Sequence, residues 1–196
     1  QQAAILNKTL RKNDMKIGTP LPNVTFKTRV RDEAIGGENP YRWNDQTSQD
    51  LFSGKRALLI GLPGAFTPTC SNRQLPAFDE MAQTFKEQGI DAIYCISVND
   101  AFVMKRWADH LKLKNIKMIP DGSGDFTRRL GMLVRKENLG FGLRSWRYSA
   151  VIDNSLVEGW FEEAGICDNA QDDPYEASTP EAVLQWLREG LKEKAA

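Results

Sequence analysis

Apolar and polar positions along the chain predict several β-strands of two kinds. Residues 24–30 alternate apolar and polar side chains, which is typical of a half-buried strand, and residues 41–47 predict a second short strand. Other short runs are apolar throughout, as in strands that are buried on both faces. These runs span residues 57–62, 92–98 and 116–119. Residues 147–153 and 156–161 predict two further strands joined at Asp153-Asn154, a hairpin turn signal.

Helices are predicted where apolar residues recur at three- and four-residue spacing. Residues 71–88 show this period, and Pro76 within them predicts a bend or an irregular first turn. In the next helix Asn99-Asp100 supply a cap, and Val103, Trp107 and Leu111 form an apolar stripe. Shorter helices are predicted at residues 48–52 and 125–130, and a last helix opens around Pro180. Residues 164–178 between the last strand and this helix predict a long acidic loop.

The order of elements predicts one α/β domain. Strands and helices alternate in the middle of the chain, which favours parallel strands, and the later hairpin adds antiparallel ones. A central mixed β-sheet flanked by helices is a thioredoxin-like fold. We expect the domain to cover residues 15–196, and we interpret residues 1–14 as a tag remnant or a disordered extension.

Composition excludes several classes of function. The chain has 196 residues, 26 of them Lys or Arg and 26 Asp or Glu, so no net charge favours nucleic acid or a membrane surface. No apolar run approaches the length of a membrane span, and no secretory signal pattern is present. These features favour a cytoplasmic protein.

Three scattered cysteines and one histidine limit the possible chemistry. Cys70, Cys95 and Cys167 form neither a C-x-x-C pair nor a secreted disulfide framework, and with His110 they do not have zinc-site spacing. A single histidine also argues against a Cys–His protease. We expect Cys95, in the middle of a strand, to be buried and inert, and His110 to face solvent.

Cys70 is the candidate nucleophile. It follows a buried strand, the break at Pro63-Gly64 and a short loop, at the start of a predicted helix. Free N–H groups and the positive dipole end of a helix N-terminus stabilise a thiolate there. The structural alternative is that Cys70 is a small core residue. Two other residues also have purely structural alternatives: Thr67 could cap the helix, and Arg147 could pair with an acidic neighbour.

The string PGAFTPTC at residues 63–70 resembles the active-site loop of peroxiredoxins, with the pattern P-x-x-x-T-x-x-C. The fuller string resembles the peroxiredoxin-5 or type II subfamily. Further matching segments are SVND at 97–100, IPDGSGDFT at 119–127, GMLV at 131–134 and GFGLRSWRYS at 140–149. The resemblance covers nearly the whole predicted fold.

This resemblance implies a role for each site residue. Cys70 would attack a peroxide and become a sulfenic acid, while Thr67 would donate to the sulfur or position the peroxide. Arg147 would lie beside the sulfur and supply a fixed positive charge. Pro63 would shape the loop and exclude water. Some relatives have a histidine four residues after the reactive cysteine, where this chain has Gln74.

Cys167 is a possible resolving cysteine, because some members of the family form an intramolecular disulfide with a cysteine in this region. Other members rely on glutathione, glutaredoxin or thioredoxin, and the residues alone do not decide between these routes. The resemblance also suggests a homodimer, with Phe66 and Phe126 as candidate contact residues. It implies no metal, haem or flavin, since sulfur performs the redox chemistry.

The sequence therefore predicts a thiol peroxidase for hydrogen peroxide and organic hydroperoxides. Two alternatives remain at this point. One is a non-catalytic thioredoxin-fold module that binds a partner or acts as a chaperone. The other is a dithiol oxidoreductase, which the missing C-x-x-C disfavours.

Overall fold

The computed structural model describes residues 16–195 of the chain. The prediction for residues 1–14 therefore lies outside the described residues. In the described part, no helix is both long enough and apolar enough to cross a membrane.

A five-stranded mixed sheet forms the centre of the fold. Its strands are β3 Arg56–Gly61, β4 Ala92–Ser97, β5 Ile116–Pro120, β8 Tyr148–Asp153 and β9 Leu156–Glu162. They lie in the order β5-β4-β3-β8-β9. Strands β3, β4 and β5 run parallel, while β8 is antiparallel to both β3 and β9. The predicted mixed sheet is confirmed, with strand ends within one residue of expectation.

Two hairpins lie outside this sheet. Strands β1, Thr25–Arg31, and β2, Tyr41–Thr47, pair antiparallel as the first hairpin. Strands β6, Leu133–Arg135, and β7, Leu143–Ser145, form the second. This second hairpin was not predicted, because each of its strands has only three residues.

The helices follow the predicted order, but the long helix at residues 71–88 is interrupted. Its first turn is a π-turn, Cys70–Gln74, in which the N–H of Leu75 donates to the carbonyl of Cys70. Pro76 has no N–H and its ring crowds the preceding turn, which explains the wider turn. The rest splits at Met81, whose ψ of 6° leaves the helical range. The helices are α1 Ser48–Phe52, α2 Leu75–Glu80, α3 Ala82–Glu87, α4 Ala101–Leu111, α5 Asp125–Arg129 and α6 Pro180–Ala195.

The buried apolar residues lie on both faces of the sheet. On β3, Leu58 and Ile60 pack toward α2, α3, α4 and α6, while Leu59 packs toward α1 and α5. Asp100 caps α4 as predicted, its carboxylate accepting from the N–H of Val103 at 2.9 Å. Helix α4 buries Met104 and Trp107 rather than the whole predicted stripe.

The strand register places Arg147 beside the loop that follows β3. Gly61, the last residue of β3, pairs with Tyr148, the first residue of β8, and the strands run in opposite directions. The residue before Tyr148 therefore lies near the residues that follow Gly61. This pairing brings Arg147 and the 62–69 loop to the same edge of the sheet.

Candidate active site

The loop between β3 and the first helical turn presents Cys70. Phe66 has a φ of 65°, a left-handed conformation that is unusual for a bulky residue. Pro68 and Thr69 are already helical, and the N–H of Ser71 donates to the carbonyl of Thr67 at 3.0 Å. Cys70 therefore lies in the first helical turn, where backbone N–H groups point away from the helix.

The sulfur of Cys70 is fully buried, with 0% of the residue exposed. Nη1 of Arg147 donates to this sulfur at 3.3 Å. The same nitrogen donates to Oε1 of Gln74, and Nη2 donates to Asp173 Oδ1 at 2.7 Å. Arg147 is itself only 2% exposed, so one buried guanidinium joins the sulfur, an amide and a carboxylate.

Arg147 keeps its positive charge although its side chain is buried. Desolvation opposes the positive charge, but Cys70 and Asp173 outweigh this effect and the net result is a raised pKa for Arg147. A second arginine, Arg144, is electrostatically coupled to Cys70 as well, although burial lowers its pKa. Two guanidinium groups therefore supply positive charge near one sulfur.

Thr67 and Pro63 belong to the same loop but make different contacts. The hydroxyl of Thr67 donates to the carbonyl of Gly64 at 2.8 Å, so its proton is used within the loop and its lone pairs are left as acceptors. The carbonyl of Pro63 accepts from Nη1 of Arg144 at 3.2 Å, and Pro63 is buried. The structure thus brings Cys70 and Arg147 into contact, with Thr67 and Pro63 in the adjoining loop.

Asp173 and Arg144 are residues of the site that the sequence did not predict. Asp173 pairs with Arg147 from a distant loop, and Arg144 supports Pro63. Gln74 was noted only as a departure from the family pattern, and the structure shows that it accepts from Arg147, four residues after Cys70. Asp173 gave no signal in the sequence, because it lies in a long loop without a period.

The remaining cysteines and the histidine lie apart from these contacts. Cys95 is fully buried on β4, and burial raises its thiol pKa well above the ordinary value. Cys167 is exposed in the loop after β9, and all three cysteines are free. His110 is exposed on α4, with its ring 5.7 Å from that of Phe66. The predictions for the environments of Cys95 and His110 are confirmed.

The two candidate dimer-contact residues differ in exposure. Phe66 is 51% exposed on the active-site loop. Phe126 is fully buried and packs against Phe26, with ring centroids 5.6 Å apart, so the prediction that it contacts a partner is wrong. Its position at the start of α5 turns the ring into the core, which the sequence pattern of five residues could not show.

A groove of about 960 Å³ lies elsewhere, between the β1–β2 hairpin, α4 and β5. Arg29, Tyr41 and Phe102 line it, but none of the three cysteines does. The groove is therefore separate from the sulfur of Cys70.

Comparison with known proteins identifies this arrangement. The family model described as Redoxin matches residues 16–173. A peroxiredoxin of Rhizobium etli is 62% identical over 174 residues, which cover 89% of this chain and 97% of that protein. The chain is a peroxiredoxin of the Redoxin family. The resemblance stated from the active-site loop is therefore confirmed.

Further relatives agree with the fold and subfamily expected for this peroxiredoxin. The hybrid peroxiredoxin hyPrx5 of Haemophilus influenzae is 46% identical over 170 residues, 87% of this chain and 65% of that protein. The crystal structure of a Plasmodium falciparum antioxidant protein, described as a 1-Cys peroxiredoxin, matches with a TM-score of 0.81 at 38% identity. The matched region covers 88% of this chain and 99% of the Plasmodium falciparum chain. The peroxiredoxin is accordingly a peroxidase with a thioredoxin-like fold.

Proposed function

We propose that this peroxiredoxin reduces hydrogen peroxide and small organic hydroperoxides through a sulfenic acid on Cys70. The contact between Nη1 of Arg147 and the Cys70 sulfur carries the proposal. A buried guanidinium stabilises a thiolate beside it and can bind the oxygen atoms of a peroxide. Among the three cysteines, only Cys70 has such a partner in the hydrogen bonds described above.

The reaction begins with attack by the thiolate of Cys70 on one peroxide oxygen. A sulfur–oxygen bond forms, the O–O bond breaks, and the leaving oxygen takes a proton as water or an alcohol. Sulfur is oxidised to sulfenic acid and the peroxide is reduced. Arg147 holds positive charge where the leaving oxygen becomes negative, which lowers the energy of the transition state.

Thr67 and Pro63 complete the pocket in this proposal. Because the Thr67 hydroxyl donates to Gly64, its lone pairs are available to accept from the O–H of the peroxide. Pro63 is buried beside Arg144, and its ring limits the access of water to the sulfenic acid. Together these two residues orient the O–O bond toward the sulfur.

An external thiol is the reductant that we propose. The sulfenic acid and one thiol give a mixed disulfide and water, and a second thiol releases reduced Cys70 and a disulfide. Glutathione with glutaredoxin, or thioredoxin, has the required chemistry. The similar Plasmodium falciparum protein is described as a 1-Cys enzyme, which supports this route.

The loop around Cys167 also favours an external thiol. The carboxylate of Asp168 accepts from the N–H of Arg135 at 2.8 Å, and the N–H of Asn169 donates to the Arg135 carbonyl at 2.7 Å. These bonds fix the residues that follow Cys167. Because Cys70 is buried and Cys167 is exposed, a disulfide between them would require one of the two segments to rearrange.

Peroxide consumption tests the proposed function directly. Cys70→Ser should abolish consumption with every reductant, while Cys95→Ala, which removes the other buried thiol, should retain activity per folded molecule. Wild type is assayed with glutathione plus glutaredoxin and, separately, with thioredoxin. Full activity of Cys70→Ser would refute the proposal and favour a non-catalytic role for the thiol.

Intact mass after one equivalent of peroxide tests the recycling route. A gain of one oxygen, converted to an adduct by added glutathione, supports an external thiol. A loss of two hydrogens that disappears in Cys167→Ser would assign Cys167 as the resolving cysteine.

We also propose a homodimer whose contact includes the exposed Phe66 on the active-site loop. A cytoplasmic location fits the three free cysteines. Light scattering of wild type and Phe66→Ser tests the first proposal, since loss of this ring should weaken the dimer. Cell fractionation tests the second.

A further inference from the structure

We propose that Asp173 is a positioning residue, which orients the guanidinium of Arg147 toward the reacting sulfur. This inference rests on the proposed function of Cys70. Asp173 Oδ1 accepts from Nη2 of Arg147 at 2.7 Å, while Nη1 donates to the sulfur at 3.3 Å. Asp173 reaches this site from the loop between β9 and α6, 26 residues beyond Arg147.

The loop that carries Asp173 is anchored by a buried carboxylate. Glu163 is only 1% exposed, and its two oxygens accept from the N–H groups of Glu176, Ala177 and Ser178 at 2.7–3.0 Å. The hydroxyl of Ser178 also donates to Glu163. Because such charge-assisted bonds are strong when buried, the chain just after Asp173 is fixed.

The same anchor is tied to the strand that begins after Arg147. The N–H of Glu163 donates to the carbonyl of Arg147 at 3.1 Å, and the hydroxyl of Ser149 donates to the carbonyl of Ser178 at 2.8 Å. The loop and the arginine are therefore held to one another at two points outside the Asp173 contact. This arrangement holds the backbone just after Asp173, although the Asp173 side chain itself is 47% exposed.

Asp173 accepts the hydrogen bond that holds the Nη2 side of the planar Arg147 guanidinium. Gln74 fixes Nη1, whereas Nε makes no hydrogen bond within the described part of the chain. The ring of Tyr175 lies 5.7 Å from the guanidinium carbon and adds a weaker contact. Without the carboxylate, the group has one fixed end and can rotate away from the attack geometry.

Charge gives a way to separate positioning from activation of the sulfur. Asp173 is negative, so its removal also takes away an opposing charge, which offsets the potential lost at Cys70 when the guanidinium turns. Alkylation of the sulfur should therefore survive the loss of Asp173. Orientation of the guanidinium toward the peroxide should not.

The experiment compares two reactions of Cys70 in reduced protein, both at the same neutral pH. One is the second-order rate constant with hydrogen peroxide, and the other is the rate of alkylation by iodoacetamide, followed at Cys70 by peptide mass spectrometry. Both reactions need the thiolate, but only the peroxide reaction needs the Arg147 guanidinium to be oriented toward the peroxide. The variants are Asp173→Ala, Asp173→Asn and, as a matched charge control, Asp172→Asn, which alters the exposed neighbouring carboxylate.

We expect Asp173→Ala to slow the peroxide reaction about tenfold and to leave alkylation at least as fast as in wild type. Asp173→Asn retains an oxygen acceptor and should restore most of the lost rate, while Asp172→Asn should match wild type. Unfolding temperatures are measured alongside, because a purely structural role lowers stability without changing the ratio of the two rates. An unchanged ratio in Asp173→Ala would overturn the inference.

Failure of this inference and failure of the proposed function give different results. If Cys70→Ser still consumes peroxide at the wild-type rate, the function of Cys70 fails. If Cys70→Ser is inactive and Asp173→Ala keeps both rates, only the role of Asp173 fails.

Discussion

Replacing Arg147 by lysine separates the charge of this side chain from its planar shape. A lysine retains one positive charge, but its single ammonium cannot reproduce the fork that joins Cys70, Gln74 and Asp173. Arg147→Met removes the charge as well and keeps an unbranched side chain of similar bulk. The two variants therefore distinguish the need for charge from the need for directed hydrogen bonds.

The size of the effect follows from which contacts are buried. The Asp173 end of the ion pair is 47% exposed, so water weakens its energetic contribution. The contact with the sulfur is fully buried and lies at the reacting atoms. Loss of one preorganised donor at such a position costs about 10²–10³ in rate. We expect peroxide reduction to fall about 10²-fold in Arg147→Lys and about 10³-fold in Arg147→Met.

Rapid mixing of reduced enzyme with hydrogen peroxide, followed by quenching and mass analysis, measures this step without any recycling enzyme. Arg128→Lys is the matched control, because Arg128 is exposed on α5 and pairs with Asp125. It should react at the wild-type rate. Wild-type reactivity in Arg147→Lys would show that the fork is not needed. Wild-type reactivity in Arg147→Met would remove the basis of the proposed mechanism.

Three further predictions concern buried positions of the fold. Gly61→Ala should lower the free energy of unfolding by about 1–3 kcal/mol, because a Cβ there would overlap the ring of Tyr148; chemical denaturation measures this. Cys95 should remain unlabelled by iodoacetamide in the folded enzyme, since burial raises its thiol pKa well above the ordinary value; peptide mapping measures this. Burial also raises the pKa of the Asp121 carboxyl, against opposing hydrogen bonds. Its stability contribution is therefore complete below the unfolded pKa of about 3.9 and is lost as pH rises through the folded pKa. The difference in unfolding free energy between wild type and Asp121→Asn should fall over that range.

Each of these three predictions has a control or a result that would contradict it. Gly190→Ala, which meets open space on α6, should instead stabilise the protein by about 0.5–1 kcal/mol. Equal effects at Gly61 and Gly190 would contradict the packing argument. Labelling of Cys95 at the rate of the exposed Cys167 would contradict its burial. A difference between wild type and Asp121→Asn that does not vary with pH would show that this carboxyl has the same pKa in both states.

The sequence pattern predicted the sheet well because its strands carry their own signals. The apolar runs of β3, β4 and β5 need burial on both faces, and only a central position in a layered fold provides it. The turn at Asn154 has a φ of 48°, followed by 68° at Ser155, as a two-residue hairpin turn requires. Such signals are local and do not depend on distant residues.

Features that depend on distant contacts were less predictable. The strands β6 and β7 each have three residues, too few to establish a period, yet they position Arg144 near Pro63. The break of the long helix at Met81 interrupts an apolar stripe that continues on both sides. Phe126 was a candidate contact residue in the sequence, but in the structure it is fully buried in the core.

The candidate site was predictable in its centre and not in its surroundings. Resemblance assigned Pro63, Thr67 and Cys70 through the loop pattern, and Arg147 through the matching segment at residues 140–149. The carboxylate of Asp173 depends on how the 163–179 loop folds back over the sheet, through the backbone contacts of Glu163. No spacing in the sequence encodes that distance.

Cys70 and Cys95 show why burial alone does not explain a reactive thiol. Both are fully buried in the same apolar cluster, Cys95 on β4 and Cys70 after the loop that follows β3. Burial by itself favours the neutral thiol, as the raised pKa of Cys95 shows. Cys70 differs in lying in a first helical turn and in accepting a hydrogen bond from the Arg147 guanidinium. A nucleophile at this depth therefore requires directed positive charge, and the fold supplies it by pairing the start of β8 with the end of β3.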